Sequence, residues 1–136
     1  TFKGHARVRP IEHTQAPASA GQADLVLLDV PCSNLGVLAR RPEAKYRFAD
    51  HSVGQLMQVQ RDILTQGRAL LKGPGAVLVY ATCSLDPREN GQQAQWAAGK
   101  LGLRIESEVT TMPAGHPGAP PRAYHDGAYV AVLRAV

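Results

Sequence analysis

Two short, unbroken apolar runs, Leu-Val-Leu-Leu at 25–28 and Ala-Val-Leu-Val-Tyr at 76–80, frame this chain. Runs of that length, partly β-branched and without polar alternation, suit strands buried on both faces of a parallel sheet. Between them the period changes. From Ser52 onward, Val53, Leu56, Val59, Ile63, Leu64, Ala69, Leu70 and Leu71 recur at spacings close to three and four. This predicts an amphipathic helix, capped by Asp50 or Ser52 and stopped at Gly73-Pro74-Gly75. After the second run, Pro87 at an early helical position, with Asp86 or Ser84 as cap, predicts a helix to residue 101 with Trp96 and Leu101 turned inward. Gly102 ends it, residues 103–109 alternate with period two as a strand with one wetter face, and 128–133 returns as the last strand. The stretch 112–122, with four prolines and two glycines, reads as an irregular loop. A weaker alternation at 6–11 suggests a further strand, ended by the polar stretch 12–22, and 31–49 is a loop long enough to be functional. The order strand, helix, strand, helix, strand, loop, strand indicates an α/β sheet whose last pair, joined without a helix, is free to run antiparallel.

Composition narrows the class. A chain of 136 residues suits one domain, and its 44% hydrophobic content excludes disorder throughout. Aromatics are only 5%, so the core must be mainly aliphatic. Fifteen Lys and Arg against eleven Asp and Glu give +4, a mild bias toward polyanions. No stretch approaches the roughly 20 apolar residues of a membrane span and no secretory signal opens the chain, so a soluble, cytoplasmic protein with no membrane partner is expected. Two cysteines make neither a disulfide framework nor a four-ligand zinc site. His5, His13, His51 and His116 show no ligand spacing, His125 reads as a loop residue, and no metal is expected. The chain starts at Thr1 without an initiator methionine, which favours a fragment or a processed product.

The two cysteines, Cys32 and Cys83, each follow one of the apolar runs, in Asp29-Val-Pro31-Cys32-Ser33 and Ala81-Thr82-Cys83-Ser84. Open α/β sheets bind ligands beyond the carboxyl ends of their strands, so both thiols are expected on the functional rim. If the two strands are neighbours, about 4.8 Å apart, the thiols share one pocket. A disulfide, inert structural thiols and catalysis are then all open. A helix start after Cys83 and the cations Arg40, Arg41, Lys45 and Arg47 are candidates to lower a thiol pKa. Asp29 reads either as a strand-end cap or as a functional carboxylate. The same four cations read as a solvated loop or as RNA phosphate contacts, and Tyr46 as a base-stacking ring or as packing beneath that loop.

These residues carry a resemblance. The stretch from Asp29 through Cys32-Ser33-Asn34-Leu35-Gly36 and Arg40-Arg41-Pro42 to Lys45-Tyr46 resembles the RsmB/Nop/Sun family of RNA cytosine-5 methyltransferases. So do Tyr80-Ala-Thr82-Cys83-Ser84-Leu-Asp-Pro87-Arg-Glu89-Asn90 and, near the end, Asp126-Gly127-Ala-Tyr129. Together these segments span most of 23–136. The resemblance implies an S-adenosylmethionine-dependent enzyme in which Cys83 adds to C6 of a cytosine, Cys32 assists release of the covalent adduct, and Asp29 with Pro31 meets the cofactor. The substrate it implies is RNA, ribosomal or transfer, the polyanion that the phosphate-contact reading of Arg40, Arg41, Lys45 and Arg47 calls for.

The resemblance also implies a Rossmann-like methyltransferase fold with strand order 3-2-1-4-5-7-6. Residues 23–136 would supply strands 4, 5, 7 and 6, with a possible strand 3 near the start and strands 1 and 2 missing. Residues 1–136 then form a single partial catalytic domain in which 1–22 is poorly placed. The family's glycine-rich loop and its acidic residue after the second strand have no counterpart here, which implies weak or absent cofactor binding and impaired activity. Strand 4 would expose an apolar edge open to self-association. A non-enzymatic RNA-binding or partner-binding remnant is the alternative. Two adjacent positions depart from the family pattern within the motif: Asn34-Leu35 stands where Gly-Thr is usual.

Overall fold

The computed structural model describes residues 13–116 and 118–136. The weak strand expected at 6–11 lies outside them. A 3-10 helix at His13–Ser19 precedes strand β1 (Leu25–Asp29), and the loop beyond β1 contains a one-turn helix α1 (Ala44–Arg47). There follow helix α2 (Asp50–Leu70), strand β2 (Val77–Thr82), helix α3 (Gly91–Lys100), strand β3 (Leu103–Thr111) and strand β4 (Ala128–Ala135). The four strands form one sheet in the order β1-β2-β4-β3. β1 and β2 are parallel, and β4 runs antiparallel to both its neighbours. This is the 4-5-7-6 half of the expected order, including the antiparallel return of the last strand.

Helices α2 and α3 cover one face. Val26, Leu78, Tyr80, Ala131, Leu133 and Tyr129 of the sheet pack there with Leu64, Ala94, Ala97 and Leu103. Tyr80 and Tyr129 meet edge to face, their ring centres 6.3 Å apart, an arrangement that suits the aromatic quadrupole. On the other face Leu25 and Leu27 remain 58% and 64% exposed, on an edge strand whose only strand partner among the described residues is β2.

Two elements differ from the sequence reading. In α2, Val59 and Ala69 lie outside the buried stripe, while Gln60 and Gly67 are buried in it. Gln60 is drawn in because its amide serves the loop beneath, and Gly67 because Leu28 presses on it, 2.8 Å from where a Cβ would stand. Helix α3 begins at Gly91 rather than at Pro87. Residues 87–90 form a turn instead, since Asp86 accepts from the Arg88 backbone N–H while the Glu89 and Asn90 side chains bond across to the strand ends.

Candidate active site

The parallel register places Leu28 opposite Tyr80 and Asp29 opposite Ala81, and Val30 N–H donating to the Ala81 carbonyl extends the ladder by one residue. Both strands therefore release their chains on the same rim. Cys83 follows β2 at once, Cys32 follows β1 three residues on, and their Sγ atoms lie 3.2 Å apart. A disulfide would need about 2.05 Å, so this is a contact between two free thiols.

The two sulfurs are not equivalent. Cys32 is buried, at 8% exposure, whereas Cys83 is half-buried. Burial, followed by the hydrogen bond with Cys83, pushes the Cys32 thiol up to about 12. The expectation that nearby cations lower a thiol pKa is thus corrected for Cys32. Its influences are burial, Cys83 and Asn34, with no cation among them, and α3 starts eight positions after Cys83. Cys83 donates its proton to Asn34 Oδ1 at 3.1 Å, which leaves the Cys32 S–H to point at the Cys83 sulfur. Asn34 Nδ2 donates in turn to the Cys32 carbonyl at 3.0 Å. The backbone of Asn34 sits at φ 62°, in the left-handed region that glycine favours and that asparagine tolerates better than most side chains. That geometry accommodates the departure from the family pattern.

Below the thiols is a buried polar knot. Glu89 is fully buried. Its Oε1 accepts from the Ser33 backbone N–H at 2.9 Å and from Gln60 Nε2 at 3.1 Å. Its Oε2 accepts from the Ser33 hydroxyl at 2.5 Å and the Ser84 hydroxyl at 2.6 Å. Four donors match the lone-pair capacity of a carboxylate. The Glu89 carbonyl accepts from Tyr80 Oη at 2.6 Å, and burial drives that phenol well above its ordinary range. Asn90 continues the knot, accepting from the Thr82 hydroxyl at 2.7 Å and donating to the Ser84 carbonyl at 3.0 Å. Gln60 Nε2 also donates to the Pro31 carbonyl at 3.0 Å, holding the turn that carries Cys32.

Three loops meet beside this knot. Gly36 N–H donates to the Cys83 carbonyl at 2.8 Å, and Gly127 N–H to the Gly36 carbonyl at 2.7 Å. The approach leaves no room for side chains: a Cβ on Gly36 would stand 2.5 Å from the Gly127 oxygen and 2.7 Å from that of Cys83.

The remaining predicted residues separate. Asp29 ends β1 exposed, on the uncovered face shared with Leu25 and Leu27, and Pro31 is exposed beside the thiols. Arg41 and Arg47 line a cavity of about 450 Å³ together with Cys32, Asn34 and Phe48. Arg40 turns away to Asp126, at 3.1 Å, and Lys45 lies over the Tyr46 ring. Tyr46 is 80% exposed and so does not pack beneath the loop. Glu89, Asn34 and Gln60 received no role from sequence. Gln60 interrupting an apolar stripe, and Glu89 at the odd end of a turn, were the available signals. Among the described residues no group of three or more His, Cys, Asp or Glu could hold a metal, and no helix is long and apolar enough to cross a membrane.

Comparison with known proteins agrees with this geometry. The family described as 16S rRNA methyltransferase RsmB/F matches residues 4–134. The ribosomal RNA small subunit methyltransferase B of Klebsiella pneumoniae is 39% identical over 113 residues, which cover 82% of this chain and 26% of that protein. Its namesake in Pasteurella multocida is 36% identical over 126 residues, covering 90% of this chain and 28% of the relative. The chain therefore spans about a quarter of the length of these relatives. Among solved structures, NSun6 from Pyrococcus horikoshii with SFG superposes with a TM-score of 0.61 at 28% identity, covering 81% of this chain and 29% of that one. A methyltransferase homologue from the same organism gives 0.60 at 25%, covering 83% and 39%. With its Rossmann-like half-sheet and its paired cysteines on one rim, the chain belongs to the 16S rRNA methyltransferase RsmB/F family.

Proposed function

We propose that this chain is the thiol-bearing part of an S-adenosylmethionine-dependent methyltransferase that forms 5-methylcytosine in small-subunit ribosomal RNA. The observation that carries the reading is the pair of free thiols 3.2 Å apart, beyond the carboxyl ends of adjacent parallel strands. Cytosine C5 is a weak nucleophile, and addition of a thiolate at C6 makes it reactive, as covalent catalysis divides one hard step into two easier ones. Cys83 is the more accessible sulfur and takes that role. Its proton passes to solvent and its sulfur bonds to C6, while the C5–C6 π electrons move to C5 and make that carbon nucleophilic. After methylation, water takes the C5 proton, the C5–C6 double bond re-forms and the C6–S bond breaks, returning its pair of electrons to sulfur. Cys32, held as a neutral thiol by burial, presents its S–H to that departing sulfur and stabilises it.

S-adenosylmethionine, when bound, supplies the electrophilic methyl group. The rim residues suited to it are Asp29, whose exposed carboxylate matches a cationic ammonium, and Pro31, which shapes the turn. They make up only the edge of such a site. The 136-residue chain alone is accordingly expected to bind the cofactor weakly, with little heat on titration. Arg41 and Arg47 line the cavity beside Cys32, which supports the reading that they meet RNA phosphates.

The test is a covalent trap. Ribosomal RNA fragments carrying 5-azacytosine, whose ring accepts a thiolate without needing a methyl group, are expected to form a denaturant-stable adduct with the chain. Cys83→Ser abolishes it and Cys32→Ser preserves it. An undiminished adduct in Cys83→Ser would overturn the nucleophile assignment.

A further inference from the structure

We infer that Glu89 is the positioning residue of the thiol pair, a role that rests on the reading of Cys83 and Cys32 as a working couple. The two cysteines sit on chain segments 51 positions apart, and past the strand ends the backbone joins those segments through Gly36 N–H and the Cys83 carbonyl, four residues beyond Cys32 itself. Beyond Val30 and Ala81 the β1–β2 ladder stops, and the residues that follow need another link. Glu89 provides it symmetrically. Each cysteine is followed by a serine, and both serine hydroxyls end on the same carboxylate oxygen, at 2.5 and 2.6 Å, while lying 3.0 Å from one another. The Ser33 backbone N–H and the Gln60 amide fill the other oxygen.

Glu89 touches neither sulfur, and its burial keeps it from any substrate. Among the described residues no cation pairs with it, and directed N–H and O–H donors hold the carboxylate. Such a group has one favourable arrangement of neighbours, because moving either serine away strands a buried acceptor. The consequence is a fixed 3.2 Å spacing between sulfurs whose segments are otherwise tied through Gly36 and the Asn34 side chain, both on the open side of the pair.

Disulfide closure measures that spacing without requiring methyl transfer. With glutathione disulfide, one protein thiolate attacks a glutathione sulfur and releases one glutathione, giving a mixed disulfide. The second protein thiol then loses its proton, attacks that bond and releases a second glutathione, and the protein is left with an intramolecular S–S bond and two hydrogens fewer. Since Cys32 and Cys83 are the only two cysteines of the chain, intact mass reports each species unambiguously.

In the parent chain closure is expected to outrun the first step, so that mixed disulfide does not accumulate. Glu89→Gln keeps the shape but turns one acceptor into a donor facing donors, and should slow closure at least about tenfold, with mixed disulfide persisting, as a shift near 1 Å costs effective molarity of that order or more. Ser33→Ala and Ser84→Ala each remove one hydroxyl donor and should fall between the two. They also serve if Glu89→Gln loses its far-UV circular dichroism. Closure at the parental rate in Glu89→Gln, or in both serine variants, overturns the proposal. Failure of the RNA adduct test with normal closure kinetics would strike the cytosine reading and leave the positioning role standing.

Discussion

The two strand ends that carry the thiols are built in opposite ways. From the last residue of β2 onward, Thr82, Ser84, Asp86, Glu89 and Asn90 are all buried and hydrogen-bonded to one another or to the strand ends. Past β1, after Ser33 has joined that knot, the loop opens: Arg40, Arg41, Lys45, Tyr46 and Arg47 are exposed. Only a few contacts pin it, among them Gly36 against Cys83 and Gly127, Arg40 to Asp126, and Arg88 reaching from its bidentate pair with Asp86 to Asp50 at the start of α2. One end defines where the sulfurs are, and the other is free to meet a ligand. On the proposed function, rigid chemistry and adaptable recognition would be divided between two adjacent strands, since reactive groups need sub-ångström placement and RNA phosphate contacts do not.

The sharpest way to break this division is at Gly36, where backbone bonds hold the open loop against the closed one. Gly36→Ala drives a methyl group into two backbone oxygens, at 2.5 and 2.7 Å, which belong to Gly127 and Cys83 and cannot rotate away. Overpacking of this kind costs about 3 kcal/mol, and disulfide closure should slow with it. Gly54→Ala is the contrast. That glycine lies on an exposed stretch of α2 with nothing within 4 Å, so the change should stabilise the chain by about 0.5–1 kcal/mol through helix propensity. Chemical denaturation of both variants checks the pair, and a Gly36→Ala chain as stable as the parent would show that the loops are not joined there.

The same contrast explains what was legible in the sequence. The strands announced themselves because fully apolar runs such as 25–28 leave few alternatives, and the cysteines stood out because each follows one directly. The knot did not. Glu89 and Gln60 look like ordinary polar residues on a turn and a helix, and only the fold brings Ser33, 56 positions away, onto the Glu89 carboxylate. The start of α3 is hidden for that reason: Pro87 signals a helix locally, but Glu89 and Asn90, which would lie in its first turn, bond to Ser33 and Thr82 instead. The raised pKa of Cys32 was hidden too, because cations close in sequence, such as Arg40, turn to other partners in space.

Acid–base behaviour sharpens the comparison from the closed side. The Cys32 thiol is raised in the folded state from 9.0 to about 12, so the unfolded chain releases this proton first as pH rises. Its contribution to stability is complete below about pH 9 and is lost progressively between 9 and 12, with a slope approaching about 1.4 kcal/mol per pH unit. Tyr80 and Tyr129, also raised by burial, begin to add to the fall as pH nears their ordinary value of 10, so between pH 9 and 10 it is the difference between the parent and Cys32→Ser that isolates the thiol. Denaturation midpoints of the parent should drop by roughly 1 kcal/mol equivalent across that unit, and the slope should flatten in Cys32→Ser. A slope unchanged by the substitution would mean that the Cys32 thiol titrates alike folded and unfolded.

The smallest effect belongs to the open side. Arg40 and Asp126 form an ion pair whose cation is 74% exposed, so Arg40→Ala should change stability by less than about 1 kcal/mol. Arg41 and Arg47 line the cavity beside Cys32, and no ion pair to a described residue is found for either. Removing both should therefore leave the fold almost unchanged and act on RNA instead. If they meet phosphates, Arg41→Ala combined with Arg47→Ala should lower the steepness of log affinity against log salt by about 0.7 for each lost contact with single-stranded RNA. Arg40→Ala, already neutralised by its partner, should lower it less. The same slope should survive Cys32→Ser and Cys83→Ser, since phosphate contacts do not involve the thiols. A double arginine variant with an unaltered salt slope would place the RNA path elsewhere on the rim, and the adaptable half of this site would have to be sought along the exposed end of β1.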